Sequence, residues 1–487
     1  MKLLLNTASI AVMAFVLTAC ATTPPQPVKP EDMPKTYTAP LATEVKDQVS
    51  TEWWKGFSSP ELTAFIEEAH SGNLDIAAAT ARVLQAQAQA GVATSALFPN
   101  VSVTAAAERD GSRRPPTPGT ANVFGLSGAA SYELDFWGQS ANNLRAARHS
   151  SRAAIYAEDV VRLTTEANVA NGYFAVLALR ERIDIARKNV EAAKRILAIT
   201  EAKVNNGVLS NLELAQQTAQ VLGEEAQIPK LEEQEREARY ALAILLGRMP
   251  EALKVEGSTL EGIVAPPVTP GLPATLLTRR PDVTEAEESL LAAHANLDAA
   301  RAAFLPAVGL SAGGGWQQNV MSGLISPGNL AWSIGAQLVQ SIFDGGRLTS
   351  ERDIAKGREA ELVADYRAAV LNALSDTETQ LGSVASYNEQ ERLTAEEVAN
   401  AAEAFRISEL QYREGVIDLL TVLQAQQTLF TSQDTLIQIK LARLQSGVGL
   451  YRALGGGWST ATDADKDLRN TFVPVPDLTD LPIGVPF

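Results

Sequence analysis

Several things are scarce in this 487-residue chain, and each scarcity excludes something. Cys20 is the only cysteine, so no disulfide framework exists. There are three histidines, His70, His149 and His294. They are far apart, each on a helical stretch without a ligand-spaced neighbour, which argues against a metal site. Neither a Gly-Xaa-Ser-Xaa-Gly elbow nor a P-loop occurs, so the usual signatures of a hydrolase or nucleotide enzyme are missing. Gly313-Gly314-Gly315 reads as a strand passing close to a neighbour. Arg279-Arg280, beside a helix-starting Pro281-Asp282, reads as structural. Basic residues are outnumbered, 41 to 57, giving a net charge of −16. That balance excludes a nucleic-acid binder driven by phosphate neutralisation. It fits an acidic lumen that admits cations, or an ordinary solvated acidic surface. Beyond the first twenty residues no run of 18 apolar residues occurs, so any membrane crossing must use β-strands.

The N-terminus is a processing signal. Lys2 supplies the positive region, Leu3–Leu5 and Ile10–Leu17 the apolar core, and small residues follow. The segment closes Leu17-Thr18-Ala19-Cys20, which resembles the lipobox of bacterial lipoproteins. The resemblance implies cleavage of residues 1–19, a diacylglycerol thioether on Cys20 and an N-acyl chain on its amino group. The competing reading is a buried free cysteine after an ordinary signal. Several acyl chains on one residue give stable anchoring. Ala21 resembles residues that permit sorting to the outer membrane. Without Lys2 the mature chain carries 40 basic against 57 acidic groups, a net −17. Residues 20–50, with Pro24, Pro25, Pro27, Pro30, Pro34 and Pro40, read as an extended tether. Residues 458–487 read as an irregular tail.

The body repeats itself. Asp75 aligns with Asp282, Phe98-Pro99 with Leu305-Pro306, and Phe136-Trp137-Gly138 with Phe343-Asp344-Gly345, each at an offset of 207. Gly207-Val208 aligns with Gly415-Val416 and Leu246-Gly247 with Leu454-Gly455, at 208. This is a tandem duplication, 51–247 and 274–457, joined by a linker at 248–273 rich in proline (Pro250, Pro266, Pro267, Pro270, Pro273).

Each repeat shows one order of elements. A first helix runs about Asn73–Leu97 and Pro281–Leu305, ended by Pro99 or Pro306. Strands follow at about 100–136 and 307–343. Phe124, Leu126, Gly128, Ala130, Tyr132 and Leu134 alternate with small or polar residues; so do Val308, Leu310, Ala312, Gly314 and Trp316, and Trp332, Ile334, Ala336 and Leu338. Period two with one apolar face fits strands between lipid and a lumen. Trp316 and Trp332 suit an interfacial aromatic belt. Segments 110–122 and 317–330 read as loops. Then come proline-free helices at about 138–206 and 346–413; 69 residues make about 100 Å. Val169, Val176, Ile183, Val190, Leu197 and Val204 recur at sevens, as do Leu423, Phe430, Ile437, Leu444 and Tyr451, the period of supercoiled helices. The helices stop at Gly207 and Gly415. Return helices span about 211–247 and 418–455, with Asn211 and Asp418 as candidate caps. Four strands cannot close a barrel, and about eight is the practical minimum. Copies must share one wall. Three copies give twelve strands and a pore with room for solutes; two give eight and little lumen.

At this point the sequence resembles the TolC-like outer membrane factor family, in its lipidated NodT-like branch serving RND-type multidrug efflux. The matching series is Trp53-Trp54, Phe57, Pro60-Glu61-Leu62, Ala96-Leu97-Phe98-Pro99, Leu276-Leu277, Arg279-Arg280-Pro281-Asp282-Val283, Ala300 through Pro306, Gly345-Gly346-Arg347 and Tyr412 through Val416. It covers about residues 50–456. The resemblance implies a mainly α fold with a membrane β-barrel: a homotrimer with a twelve-stranded β-barrel in outer membrane lipid and a twelve-helix periplasmic α-barrel. It implies an exit duct and not an enzyme, without cofactor or metal. The implied partners are a periplasmic adaptor and an inner-membrane RND-type transporter. By position, Tyr412 and Arg413 match the family's tip tyrosine and arginine. The tip aspartate and a nearby arginine are replaced by Gln424 and Gln427. Asp418 is then either a substitute acidic ring or a simple helix cap, and Glu201 or Glu213 is a candidate partner of Arg413 across protomers. Two rival functions remain at this level: a duct for type I protein secretion, and a periplasmic coiled-coil lipoprotein without a pore.

Overall fold

The computed structural model describes residues 25, 28–39, 50–112, 119–267 and 270–458. Cys20, the signal at 1–19, much of the tether and residues 459–487 lie outside the described residues.

Twelve elements make up the described body. They are α1 (Pro60–Gly72), α2 (Leu74–Ser95), β1 (Asn100–Ser112), β2 (Gly119–Leu134), α3 (Gln139–Asn205), α4 (Asn211–Leu245), α5 (Leu276–Arg279), α6 (Pro281–Ala302), β3 (Ala307–Gln318), β4 (Leu330–Val339), α7 (Arg347–Arg413) and α8 (Leu419–Ala453). Short 3-10 turns connect them. Element lengths repeat between the halves: 22 residues in α2 and α6, 67 in α3 and α7, 35 in α4 and α8. Starting residues differ by 207 for α2 and α6 and for β1 and β3, by 211 for β2 and β4, and by 208 for the long helices and the return helices. Among the described residues no helix is long and apolar enough to cross a membrane.

Local chemistry accounts for the boundaries. The Ser59 hydroxyl accepts from the Leu62 amide at 3.2 Å, and Pro60 stands at the first helical position of α1. The motif residues Pro60-Glu61-Leu62 form the first turn of this helix. Asn73 caps α2 through the amides of Asp75 and Ile76 at 2.9 and 3.0 Å. The long helices end in left-handed glycines, Gly207 (φ 73°) and Gly415 (φ 78°). The expected cap of α4 is corrected by one residue. Ser210, not Asn211, is the N-cap, with Glu213 completing a capping box. A serine hydroxyl reaches the N2 and N3 amides only from outside the first helical turn. The 110–122 loop is also shorter than expected, because β1 extends to Ser112 and β2 starts at Gly119. Pro229 lies inside α4.

The chain divides into two compact units that cut across the duplication. One comprises Arg82–Ile155 and Glu285–Arg367 and holds the sheet. The sheet order is β1-β2-β3-β4, antiparallel throughout. β2 and β3, from different repeats, are the central pair.

The second unit comprises Val28–Ala81, Tyr156–Thr284 and Ala368 onward. Its main core gathers Trp53, Phe57, Leu62, Ile66, Phe174, Leu177, Leu242 and Val448, all under 3% exposed. Trp53 stacks on Tyr451 at 5.4 Å, and Phe57 meets Phe174 at 5.3 Å. The inter-repeat linker is laced down by charged side chains. Glu61 accepts from the amides of Glu256 and Gly257, Arg180 donates to the carbonyls of Val255 and Gly257, and Glu181 accepts from Leu260. Arg280 is structural: it forks onto Asp282 at 2.6 and 3.0 Å and donates to the Ala453 carbonyl at 3.0 Å. Heptad positions Val169, Val176, Ile437 and Leu444 are buried here, as the seven-residue period requires.

Candidate functional site

The sheet register decides the chemistry of its two faces. Residues directly opposite each other in an antiparallel ladder share a face. On one face the rows read Val101–Ala130–Ala312–Ile334, Val103–Gly128–Gly314–Trp332 and Ala105–Leu126–Trp316–Leu330. Tyr132–Leu310–Ala336 and Leu134–Val308–Leu338 continue it. On the other the rows read Asn100–Ser131–Ser311–Gly335, Ser102–Ala129–Gly313–Ser333 and Thr104–Ser127–Gly315–Ala331. One face is apolar from edge to edge and the other is small and polar.

The apolar face is uncovered. Val101, Val103, Trp332, Ile334 and Leu338 are 69–79% exposed. Water-soluble chains rarely leave so continuous an apolar surface open. From Leu330 to Leu338 it spans the nine or so residues that a tilted strand needs to cross hydrocarbon. Trp316 and Trp332 lie in adjacent rows toward the β3–β4 loop, where an aromatic belt belongs. Gly315 is required by close approach: a Cβ there would stand 2.6 Å from the Leu126 carbonyl. Among the described residues β1 and β4 leave unpaired edges.

The helical hairpin turns sit in the second unit. Tyr412 is 1% exposed and faces into the hairpin core with Ile196, Leu419, Val422 and Phe430. Its hydroxyl pairs with Thr200 Oγ1 at 2.9 Å. Burial raises its phenol above the usual value, partly opposed by the Thr200 bond. Lys203 donates a short hydrogen bond to the Tyr412 carbonyl. Thr200 and Lys203 went unnoticed in the sequence, where they are ordinary residues of a long helix.

The other predicted tip residues are placed apart from this contact. Arg413 is exposed and its Nε reaches only its neighbour Glu414, at 3.3 Å. Asp418 caps α8, accepting from the Thr421 hydroxyl at 2.7 Å and amide at 2.9 Å; those bonds hold its carboxyl below the ordinary value. Glu213 is lowered by its capping bonds to Ser210. Gln424, Gln427 and Glu201 are exposed.

Each histidine has a carboxylate from another helix beside it: Glu166 for His70 (2.8 Å), Glu288 for His149 (2.6 Å) and Glu359 for His294 (2.6 Å). Asp298 also lies one turn beyond His294. The three glutamates come from distant positions and carry no local sequence signal, whereas Asp298, four residues after His294, is a neighbour that the sequence did offer. Among the described residues no group of three or more His, Cys, Asp or Glu is arranged to hold a metal ion.

A family model described as outer membrane efflux protein matches residues 65–248 and again residues 272–456. This chain belongs to the outer membrane efflux protein family. Its two matches fall on the two halves of the duplication. The pyoverdine export outer membrane protein OpmQ of Pseudomonas aeruginosa is 40% identical over 418 residues, covering 84% of this chain and 88% of OpmQ. The cation efflux system protein CusC of Escherichia coli is 28% identical over 451 residues, covering 91% of this chain and 98% of CusC. Among solved structures, the outer-membrane channel OprN matches with a TM-score of 0.81 and 27% identity, over 90% of this chain and 100% of OprN. The efflux family membership places the chain in the outer membrane and makes the apolar sheet face intelligible as a lipid-facing surface.

Proposed function

We propose that three copies of the chain close one twelve-stranded β-barrel, with paired long helices forming a twelve-helix periplasmic barrel. The assembly is the exit duct of a tripartite RND-type efflux system for small molecules. The observation carrying this is the exposed apolar face of a four-stranded sheet whose two edges are unpaired among the described residues. In hydrocarbon an open edge leaves backbone groups unsatisfied at several kcal/mol each. Closure on identical copies removes the edges. The Ser-, Thr- and Gly-lined face then borders the lumen.

The partners are a periplasmic adaptor and an inner-membrane transporter. At the hairpin turns, Val208, Leu212, Val416 and Leu420 are 65–71% exposed. They form repeat-related pairs, since 208 and 416, and 212 and 420, each differ by the repeat offset. Such paired apolar groups suit a helical adaptor end. Acylation of Cys20 supplies the lipid anchor. The cargo is a small molecule, as in the names of OpmQ and CusC. Purified lipidated protein is expected to run as a heat-modifiable trimer and to conduct ions in planar bilayers. A water-soluble monomer without conductance refutes the reading. Crosslinking in cells, followed by mass spectrometry, identifies the adaptor and transporter; recovery of a protein-secretion transporter refutes the RND assignment.

A further inference from the structure

The apolar face of the sheet is not even. It holds a hollow of about 400 Å³. The floor belongs to β2 and β3, where the rows shrink to Gly128–Gly314 and Ala130–Ala312. Val101 and Val103 of β1 wall one side, and Trp332 and Ile334 of β4 wall the other. The row Leu126–Trp316 bounds one end and the row Tyr132–Leu310 the other. Because β2 and β3 are the central strands, closing β1 and β4 on neighbouring copies leaves this hollow open to lipid.

Two independent observations say what it takes. The first is that packing within the chain does not demand its glycines. Gly128 has no positive φ, and a Cβ there would meet only the Ser102 carbonyl, at an ordinary 3.9 Å. A Cβ on Gly314 would come no closer than 3.4 Å to any neighbour. Gly315, on the opposite face, is the contrasting case, held by a 2.6 Å approach. Glycine weakens a strand interior and marks a place where another group comes close. The second observation is a cation at the rim. Arg109 is exposed, and alternation along β1 sends it to the face of Val103. Among the described strand residues it is the one charged residue on that face. It lies near the Ser112–Gly119 end of the hairpin, away from the strand-to-helix junctions, and so at the outer leaflet. The six residues from Arg109 to Val103 make about 20 Å of strand. A barrel tilt of about 35–45° turns that into roughly 15 Å of depth, near the middle of a ~25 Å apolar band. A headgroup phosphate at Arg109 thus leaves its acyl chain long enough to lie in the hollow.

We propose that this face is a lipid site: it seats one acyl chain of an anionic, phosphate-bearing lipid of the outer leaflet, with the phosphate against Arg109. The site rests on the membrane-barrel reading above. Native mass spectrometry of the detergent-purified trimer, titrated with lipid A or with phosphatidylcholine, tests it. Wild type is expected to retain one lipid A per chain and to retain phosphatidylcholine more weakly. Gly128→Leu and Ala312→Leu each fill the floor from a different strand with a side chain suited to lipid, and each should abolish retention. Ala105→Leu, on the same face outside the hollow, should leave it unchanged. Arg109→Gln should weaken lipid A several-fold, as for an exposed ion pair, without changing phosphatidylcholine. Wild-type retention of lipid A in both floor variants overturns the seat, and equal retention of the two lipids overturns the role of Arg109. A membrane trimer that holds no lipid A overturns the site alone. A water-soluble monomer overturns the barrel reading instead, and the site with it.

Discussion

Ile334 and Ser333 are neighbours on β4 that the register sends to opposite faces. Ile334 lies at the middle of the strand, in the row Val101–Ala130–Ala312–Ile334, and is 79% exposed. If that face meets lipid, Ile334→Lys places a charge near the hydrocarbon midplane. Such a substitution costs about 2–4 kcal/mol in a membrane barrel. Three copies raise the penalty to roughly 6–12 kcal/mol per assembly. That is comparable to the whole stability of an ordinary domain. Ile334→Lys is therefore expected to abolish or sharply reduce heat-modifiable trimer in outer-membrane fractions on semi-native gels. Ser333→Lys, in the row Ser102–Ala129–Gly313–Ser333, should assemble like wild type. It should also shift ion selectivity toward anions, because it adds three positive charges to the lumen. In a water-exposed sheet the outcome reverses in sign, since replacing an exposed isoleucine by lysine is harmless there. Normal assembly of Ile334→Lys, or failure of Ser333→Lys alone, refutes the assignment of faces.

Three further outcomes follow from the packing. Phe57→Ala empties a fully buried site between Trp53, Phe174 and Tyr451 and should cost about 3–5 kcal/mol; thermal unfolding followed by circular dichroism checks it, and an unchanged midpoint refutes it. Gly315→Val drives a side chain into the Leu126 carbonyl and should lower the trimer yield, whereas Gly328→Val, which meets nothing within 4 Å, should not. Glu378 accepts the Thr38 and Ala39 amides at 2.8 and 3.0 Å, and these bonds, Thr38 first, hold its carboxyl below the ordinary 4.5. Its folded pKa is depressed, so the docking it supports is complete above the ordinary glutamate range and is lost as pH falls through the lowered value. Limited proteolysis within residues 28–39 should therefore increase on acidification below about pH 4.5, and Glu378→Gln should show that susceptibility at pH 7.

Periodic features were legible in the sequence because a single physical requirement repeats along them. The strands of the second hairpin appear as alternation because one face must be apolar and the other must not. β1 is less plain: Ala105-Ala106-Ala107 hides the alternation, and Glu108-Arg109-Asp110 looks like a loop. Only pairing of Arg109 with Asn122 and Asp110 with Ala121 makes it strand. The tip was legible as a turn, through Gly207 and Gly415, but not as a set of contacts. Lys203 and Tyr412 are 209 residues apart, and no local rule joins them. The same holds for the histidines, whose carboxylates come from other helices. Arg413 drew notice because it stands in a motif, yet its side chain points to solvent. Motif membership reports on shared ancestry, and burial reports on contact.

The duplication also shows where the two halves are allowed to differ. Three pairs of helices keep the same length, so the repeats can alternate around a shared wall with little mismatch. The offset changes from 207 to 208 at the strand-to-helix junction, where the second half carries one extra residue, Gly346 (φ 90°), between Gly345 and the first residue of α7. The junctions are capped differently in consequence. Asp135 accepts from the amides of Ser140 and Ala141, while Asp344 accepts from Gly346 and Leu348. The second difference is at the hairpin turns, where Tyr412 stands in place of Val204. A six-part wall built from three duplicated chains would be nearly sixfold if the halves were identical. The halves differ also in their second strands, 16 residues in β2 against 10 in β4, and in Pro229, which stands inside α4 where α8 has Ile437, so the departure from the repeat is spread over the sheet, the junction, the return helix and the turn.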